Sequence, residues 1–148
     1  GAKLGVVSRS QEKVDAAVNT LSAHTEAIGF SADVRDYEAI AVCNRDFSER
    51  FGPIDVLVSG AAGNFPAPAV GMSANGFKAV MDIDLLGSFH VLQSAYPFLR
   101  KPGSAVINIS AGDLATGGSR SGARQSAHGP KVPVSGVTCV AHCRLDRR

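Results

Sequence analysis

The chain has 148 residues, a formal net charge of +2 and a hydrophobic content of 45%. This length favours one domain that is large enough to bury a substantial core. No apolar run approaches the roughly 20 residues of a membrane span, and no charged segment followed by an apolar one opens the chain. The three cysteines form no even disulfide set, which indicates a reducing compartment. We therefore expect a globular, cytoplasmic protein without a membrane partner.

Charge and composition divide the chain near residue 111. Residues 1–111 carry nine Lys/Arg and eleven Asp/Glu, whereas residues 112–148 carry six and two. The second segment is rich in Gly, Ser, Arg and Ala, has no clear periodicity and favours a short strand only at 132–140, so we expect it to be irregular. It lacks the interleaved aromatic residues that bind nucleic acid, so no nucleic-acid partner is expected. Its Cys-x-x-His-Cys run lacks the paired spacing of a zinc site, so no metal is expected either.

The first half of the chain alternates between strand and helix patterns. A short apolar strand at 4–7 is followed by a helix that begins at the N-cap residue Ser10. A second strand at 27–32 precedes a helix at 37–51, which Gly52 and a proline end. The apolar residues of this second helix share one face and are predicted to be buried. They are Ile40, Cys43, Phe47 and Phe51.

The same alternation continues in the second half. A third strand at 54–58 leads into small residues at 59–63, a long helix at 77–99 and a fourth strand at 105–109. This order predicts an α/β fold, with a doubly wound parallel sheet and helices on both faces. Apolar positions recur at helical spacing in the long helix. They are Phe77, Val80, Met81, Leu85, Ser88, Val91, Leu92 and Ala95.

Asp84 lies on or beside this apolar stripe, seven residues after Phe77. A carboxylate that faces a core is costly unless it is paired or functional. The residue is therefore a candidate for a role in a site.

Four segments resemble the short-chain dehydrogenase/reductase family over about residues 1–111. In chain order they are SADVRD, SGAAGNF, MDIDLLGSF and VINIS. The AAGNF run and the aspartate of MDID are most similar to the 2,4-dienoyl-CoA reductase branch, in its peroxisomal type and bacterial relatives. The resemblance implies a partial Rossmann-like domain at 1–111, incomplete at both ends, followed by an irregular tail at 112–148. It also implies an NADP(H)-dependent oxidoreductase that acts on an enoyl-CoA or 2,4-dienoyl-CoA substrate.

The end of the first strand bears on cofactor choice. A dinucleotide-binding fold places this position beside the adenosine ribose. Ser8 stands here in place of an acidic residue, which would repel a 2′-phosphate, and Arg9 offers that phosphate a charge-assisted contact. We therefore expect NADPH as cofactor. The alternative is that Arg9 merely begins a solvated helix.

The resemblance implies further cofactor contacts. It places Asp33 against the adenine amino group, although an Asx turn or N-cap is the alternative. It also places small residues where the backbone passes close to the cofactor. Ala111 stands at the family's catalytic serine, so only the serine before it is implied beside the cofactor. The expected cofactor-binding residues are Ser8, Arg9, Asp33, Val34, Ser59, Gly60, Ala61, Ala62 and Ser110.

The resemblance gives Asp84 a catalytic role, in which it holds a water or proton relay beside a lysine. A partly buried carboxyl can act as such an acid, while the alternative is a hydrogen bond to neighbouring backbone. An acyl-CoA partner is implied as well, because arginine binds CoA phosphates as a forked donor. The residues implied to bind it are Arg35, Phe65, Ser73, Ala74 and Asn75. The helix at 77–99 resembles one used for subunit packing, which implies a homo-oligomer.

Two parts of the family pattern are not found in this sequence. The glycine-rich turn would precede Gly1, and neither Tyr37 nor Tyr96 is followed by lysine four residues later. Lys131 lies between prolines, where a helix is not expected. The change of composition after Ala111 suggests a lost reading frame. The alternative to an active reductase is therefore a truncated or frameshifted fragment that binds nucleotide weakly at most.

Overall fold

A computed structural model of the chain describes residues 1–63, 69–109 and 138–142. Within these ranges the strands are β1 (Lys3–Ser8), β2 (Ala27–Ser31), β3 (Val56–Ser59), β4 (Ala105–Asn108) and β5 (Thr138–His142). The α-helices of the same ranges are α1 (Gln11–Ser22), α2 (Tyr37–Phe51), α3 (Ala74–Met81) and α4 (Gly87–Ala95). A π-helical turn (Asp82–Leu86) joins α3 to α4, and 3-10 turns lie at Ala69–Gly71 and Tyr96–Phe98. None of the helices described is long and apolar enough to cross a membrane.

The strands form one sheet in the order β2-β1-β5-β3-β4. β1 and β2 are parallel, as are β3 and β4, which confirms the predicted α/β alternation. β5 differs, because it lies between β1 and β3 and runs antiparallel to both, with Val140 opposite Gly5 and Leu57. The sequence predicted a parallel sheet and an irregular segment at 112–148, yet five residues of that segment form the central strand. The division at residue 111 stays a prediction.

Helices cover both faces of the sheet, as the α/β pattern predicted. On one face, a Cβ added to Gly29 of β2 would come within 2.2 Å of Val14 in α1. On the other face, a Cβ added to Gly5 of β1 would come within 2.7 Å of Phe47 in α2. These two strand glycines therefore let α1 and α2 approach the sheet closely.

The core lies between the sheet and helices α2 and α4. All four residues of α2 that were predicted to face inward are buried, and Phe47 is only 1% exposed. Its ring lies edge-on to Phe51, with the centroids 5.1 Å apart. Residues of β3 and α4 complete the cluster, including Leu57, Val91 and Ala95. The apolar periodicity of α2 therefore identified the core correctly.

Polar side chains cap the first turns of three helices. The hydroxyl of Ser10 accepts a hydrogen bond from the Lys13 backbone N–H at 3.4 Å, as predicted for the start of α1. Asp36 accepts from the Ala39 N–H at 3.1 Å and begins α2. Ser73 caps α3 in the same way. Each cap satisfies a backbone donor that has no partner within its helix.

The long helix differs from its prediction. It begins at Ala74 and contains the π turn, which holds one more residue than an α turn. Phe77 and Leu85 were predicted to face inward, but they are 57% and 63% exposed, whereas Val91 and Ala95 are buried as predicted. The extra residue changes the phase of the helix, so an apolar stripe drawn at α-helical spacing misses the buried face before α4.

Candidate functional site

A cavity of about 380 Å³ opens at the carboxyl ends of β1 and β2. This is the edge at which open α/β sheets bind ligands. Six of the predicted cofactor-binding residues line the cavity, and they come from three different loops. They are Ser8, Arg9, Asp33, Val34, Ala61 and Ala62. The structure thus brings together residues that are up to 54 positions apart in the sequence.

The other predicted cofactor residues are placed differently. Ser59 and Gly60 are buried at the end of β3 and are not among the residues that line the cavity. The Ser59 carbonyl accepts a hydrogen bond from the Ile109 N–H at 2.8 Å, which joins β3 to the end of β4. Ser110 lies outside the described residues. Ser59 and Gly60 therefore lie buried just before the loop that lines the cavity, and they are not among its lining residues.

Arg35 also lines this cavity, although the resemblance assigned it to the acyl-CoA substrate. Its guanidinium binds the carboxylate of Asp33, with Nη2 2.6 Å from Oδ2 and Nε 3.1 Å from each oxygen. The Arg35 N–H donates to Asp33 Oδ1 as well, at 3.0 Å. The side-chain hydrogen bonds from Arg35 lower the pKa of the Asp33 carboxyl below its usual value. The pair therefore holds Asp33 ionised at the rim of the cavity.

Positive charge predominates in the cavity wall. The twelve described residues that line it include Arg9, Lys13 and Arg35, and one carboxylate among them, that of Asp33. Such a wall attracts an anionic ligand. Lys13 was missed by the sequence analysis, together with Val7, Ser10, Ala32 and Ile83. The signal for Lys13 was its place three residues after the Ser10 cap, in the first turn of the helix that follows the strand end.

Asp84 connects the π turn to the loop after β3. Its carboxylate oxygen Oδ1 accepts a hydrogen bond from the Gly63 N–H at 2.6 Å. Its backbone carbonyl accepts from the Ser88 hydroxyl, also at 2.6 Å. The side chain is exposed, so the expectation that it faces the core was wrong. The hydrogen bond to backbone, which was the alternative reading, is present, while a catalytic role stays a prediction.

The proposed substrate residues form no single group among the described residues. Ser73, Ala74 and Asn75 are exposed at the start of α3, and none of them lines the cavity. The Ser73 hydroxyl accepts from the Gly76 N–H at 3.1 Å, which makes it the cap of this helix. Phe65 lies outside the described residues. Of the described members of this set, only Arg35 therefore lies with the cofactor-binding candidates.

The buried thiol of Cys43 is not part of the cavity. Burial, helped by the nearby charge of Asp46, raises its pKa to about 11. It is therefore protonated at neutral pH and a poor nucleophile. Among the described residues, no group of three or more His, Cys, Asp or Glu is placed to hold a metal ion.

Residues 1–125 match the family model described as short chain dehydrogenase. The chain belongs to this family. Its sequence is 40% identical over 122 residues to a peroxisomal 2,4-dienoyl-CoA reductase of Arabidopsis thaliana, covering 75% of this chain and 41% of the relative. It is 41% identical over 109 residues to the corresponding reductase of Rattus norvegicus, covering 72% and 37%. The predicted resemblance to this branch is confirmed, and the chain spans about two fifths of the length of these relatives.

Solved structures support the fold assignment. A 3-ketoacyl-ACP reductase from Sinorhizobium meliloti 1021 superposes with a TM-score of 0.68 at 27% identity, covering 74% of this chain and 44% of that one. A 2-keto-3-deoxy-D-gluconate dehydrogenase from Streptococcus agalactiae gives 0.60 at 33% identity, covering 71% and 40%. The short-chain dehydrogenase therefore has the predicted Rossmann-type α/β architecture, as a partial sheet.

Proposed function

We propose that this short-chain dehydrogenase binds NADPH and reduces an enoyl-CoA or 2,4-dienoyl-CoA substrate. One observation carries the proposal: six residues from three loops, chosen from the sequence as cofactor contacts, surround one cavity at the carboxyl edge of the sheet. The similarity to 2,4-dienoyl-CoA reductases supports the substrate class.

The cavity fits the adenosine half of the cofactor. Its volume of about 380 Å³ lies within the range of small-molecule sites. Ala61 and Ala62 leave room for a flat ring, and the ionised Asp33 carboxylate accepts a hydrogen bond from an exocyclic amino group. When bound, NADPH would supply the hydride for the reduction. The protein residues bind the adenosine, orient it and neutralise its phosphate.

The charges favour NADPH over NADH. Ser8 at the end of β1 offers a hydroxyl where a carboxylate would repel a 2′-phosphate, and Arg9 follows it directly. Lys13 lies one helical turn further on, in the same cavity wall. Arg35 pairs with Asp33, so Arg9 and Lys13 are the cations we assign to the phosphate. A guanidinium and an ammonium together suit a dianionic phosphate.

Asp84 is the proposed catalytic residue, aiding protonation of the reduced substrate. Its carboxylate already holds the Gly63 N–H, so it positions the loop after β3 at the same time. Arg35, Phe65, Ser73, Ala74 and Asn75 remain the proposed acyl-CoA contacts. In this role Arg35 would contact a CoA phosphate with donor groups that its pair with Asp33 leaves available.

A second candidate function is nucleotide binding without turnover. It is favoured by the sequence itself, because no tyrosine in it is followed by lysine four residues later. Under this alternative the cavity binds NADPH, but no dienoyl-CoA is reduced.

Self-association is a further part of the proposal, since the helix at 77–99 presents large apolar side chains to solvent. They include Phe77, Leu85, Leu86 and Phe89. A second copy of the chain would cover them. A monomeric mass in light scattering at high protein concentration would contradict this part. We retain the cytoplasm as the proposed location, although the matched relatives are named peroxisomal.

Calorimetric titration with NADPH and NADH tests the cofactor proposal. Replacing Arg9 by Ala removes a charge-assisted contact worth about 1.5–3 kcal/mol, so we expect NADPH affinity to fall about 10- to 100-fold. NADH affinity should change little, because NADH lacks the phosphate. Arg45→Ala is the matched control, since Arg45 lies on α2 and pairs with Asp46 outside the cavity. Equal losses for both cofactors, or no binding by the wild-type chain, would contradict the proposal.

Two substitutions at Asp84 separate its proposed roles. Asp84→Asn keeps an oxygen that accepts from Gly63 but cannot serve as an acid, whereas Asp84→Ala loses both functions. We expect Asp84→Asn to retain NADPH binding and to lower dienoyl-CoA turnover at least about 100-fold. Turnover equal to wild type in Asp84→Asn would limit the residue to positioning. NADPH binding without turnover in the wild-type chain would favour the second candidate function.

A further inference from the structure

His90 of α4 contacts Val34, which lines the cavity, but His90 is not itself among the lining residues. Its ring nitrogen Nδ1 lies 2.9 Å from the carbonyl oxygen of Val34. A carbonyl only accepts, so Nδ1 carries the hydrogen and donates. The imidazole is partly buried, and Tyr37 lies edge-on to it with the ring centroids 5.6 Å apart.

A second contact joins the same two elements one helical turn earlier. Gly87 approaches Val34 so closely that an added Cβ would lie 2.5 Å from its Cγ2 atom. Val34 is only 6% exposed. Helix α4 therefore contacts both the side chain and the carbonyl of one residue.

Val34 stands between Asp33 and Arg35, two of the charged residues of the cavity wall. The loop is also bonded internally, since the Arg35 N–H donates to Asp33 Oδ1 at 3.0 Å and the Asp36 N–H donates to the Asp33 carbonyl at 2.9 Å. These internal bonds fix the shape of the turn. The Ala32 N–H donates to the Ser8 carbonyl at 3.0 Å, which joins the start of the turn to β1, and the contact with His90 joins Val34 to α4.

We propose that His90 is a positioning residue for the nucleotide site. Its Nδ1–H orients the Val34 peptide and thereby aims Asp33 and Arg35 at the cavity. As far as the ligand is concerned, this inference rests on the proposed NADPH function. It assigns α4 the task of holding the part of the cavity wall that residues 33–35 form.

Three variants separate the hydrogen bond from ring packing. His90→Phe keeps a ring against Tyr37 but removes the donor. His90→Asn loses the ring but keeps a donor, because its Nδ2 is attached to Cγ as Nδ1 is in histidine. His24→Phe is the matched control, since His24 is exposed and lies after α1, away from the cavity.

The experiment uses two readouts on the full chain. The first is hydrogen exchange of the Arg35 and Asp36 amides without ligand, and the second is NADPH affinity by calorimetry. We expect His90→Phe to speed exchange and weaken binding about 3- to 10-fold each, the size of one hydrogen bond. His90→Asn should resemble wild type in both, and His24→Phe should change neither.

The outcomes distinguish this inference from the proposed function. If wild type does not bind NADPH, the proposed function fails, and exchange alone decides the role of His90. If wild type binds and His90→Phe leaves affinity unchanged, the inference fails while the function stands. Impairment in His90→Asn but not in His90→Phe would assign the effect to ring packing and overturn it. If His90→Phe does not fold, His90→Asp is used in its place. Aspartate matches asparagine in shape but does not donate a hydrogen bond when it is ionised.

Discussion

Helix α2 and the helix formed by α3, the π turn and α4 carry apolar residues at similar spacing, but they bury them differently. In α2 the phase is constant from the Asp36 cap to the C-terminus, so every predicted core residue is buried. In the second helix the π turn adds a residue. Phe77 and Leu85 are exposed, and the predicted residues that are fully buried, Val91 and Ala95, lie in α4. Periodicity therefore predicts a buried face only while the hydrogen-bonding pattern is uninterrupted.

The interruption coincides with the candidate site. The π turn contains Asp84, which accepts from the Gly63 N–H, and Ile83, which lines the cavity. A π turn is frequently found at a functional site. A regular helix would have turned these two residues elsewhere. The same extra residue thus explains both the error in the predicted stripe and the contact between the helix and the loop after β3.

The strongest test of this comparison replaces one phenylalanine in each helix. Both were predicted to be buried, but Phe47 is 1% exposed and Phe77 is 57% exposed. Phe47→Ala should lower the free energy of unfolding by about 3–5 kcal/mol, and Phe77→Ala by less than about 0.5 kcal/mol. Urea denaturation measures both.

Protein concentration is the control for that test. If self-association covers Phe77, the cost of Phe77→Ala should rise with protein concentration, since dimer stability depends on it. A cost near that of Phe47→Ala at high dilution would mean that the two helices do not differ as described.

A smaller effect is expected within the π turn itself. Ile83 packs partly buried against the core, and a Cβ added to Gly63 would come within 2.7 Å of its Cδ1 atom, whereas Leu85 is 63% exposed. Ile83→Ala should cost about 1–2 kcal/mol, less than a fully buried truncation, and Leu85→Ala less than about 0.5 kcal/mol. Thermal unfolding compares the pair. A larger loss of stability for Leu85→Ala than for Ile83→Ala would support the buried face predicted from α-helical spacing.

Local signals in the sequence predicted most of the fold. The Ser10 cap, the end of α2 near Gly52 and the four inward residues of α2 depend on neighbours within a few positions, and the structure confirms them. The placement of β5 depends on pairing with Gly5 and Leu57, far away along the chain. A five-residue strand carries too little periodicity to predict such partners, so its central position was missed.

The site was predicted in part for the same reason. Strand ends identify one edge of a parallel sheet, which pointed to Ser8, and the family resemblance placed Asp33 and Ala61 at the same edge. All three line one cavity. Residue spacing does not predict which side chains pair, so the bond between Arg35 and Asp33 was not predicted. The assignment of Arg35 to the substrate stays a prediction. His90 and Val34 are 56 positions apart in the sequence, and no motif predicts the contact between them.

The smallest predicted effect concerns the loop between β2 and α2. Like the loop after β3, which Asp84 contacts, it follows a strand and lines the cavity. The folded-state pKa of Asp33 is lowered by hydrogen bonds from Arg35. The ionised carboxylate therefore adds stability that is fully present above its usual pKa of 3.8 and is lost as the pH falls through the lower, folded-state value. Both side chains are partly exposed, so we expect a coupling energy of at most about 1 kcal/mol.

A double-mutant cycle with Asp33→Asn and Arg35→Met measures this coupling. At about pH 6 the unfolding free energies should be non-additive by several tenths of a kcal/mol. The non-additivity should shrink as the pH is lowered below 3.8 and the carboxyl is protonated. The adjacent pair Arg45 and Asp46, which is exposed on α2, serves as a surface control. Because the Arg35 guanidinium contacts both oxygens of Asp33, whereas that of Arg45 contacts Oδ1 of Asp46, the coupling of the cavity pair should exceed that of the control. Equal couplings for the two pairs would mean that the bond between Asp33 and Arg35 stabilises the loop before α2 no more than an ordinary surface ion pair stabilises a helix.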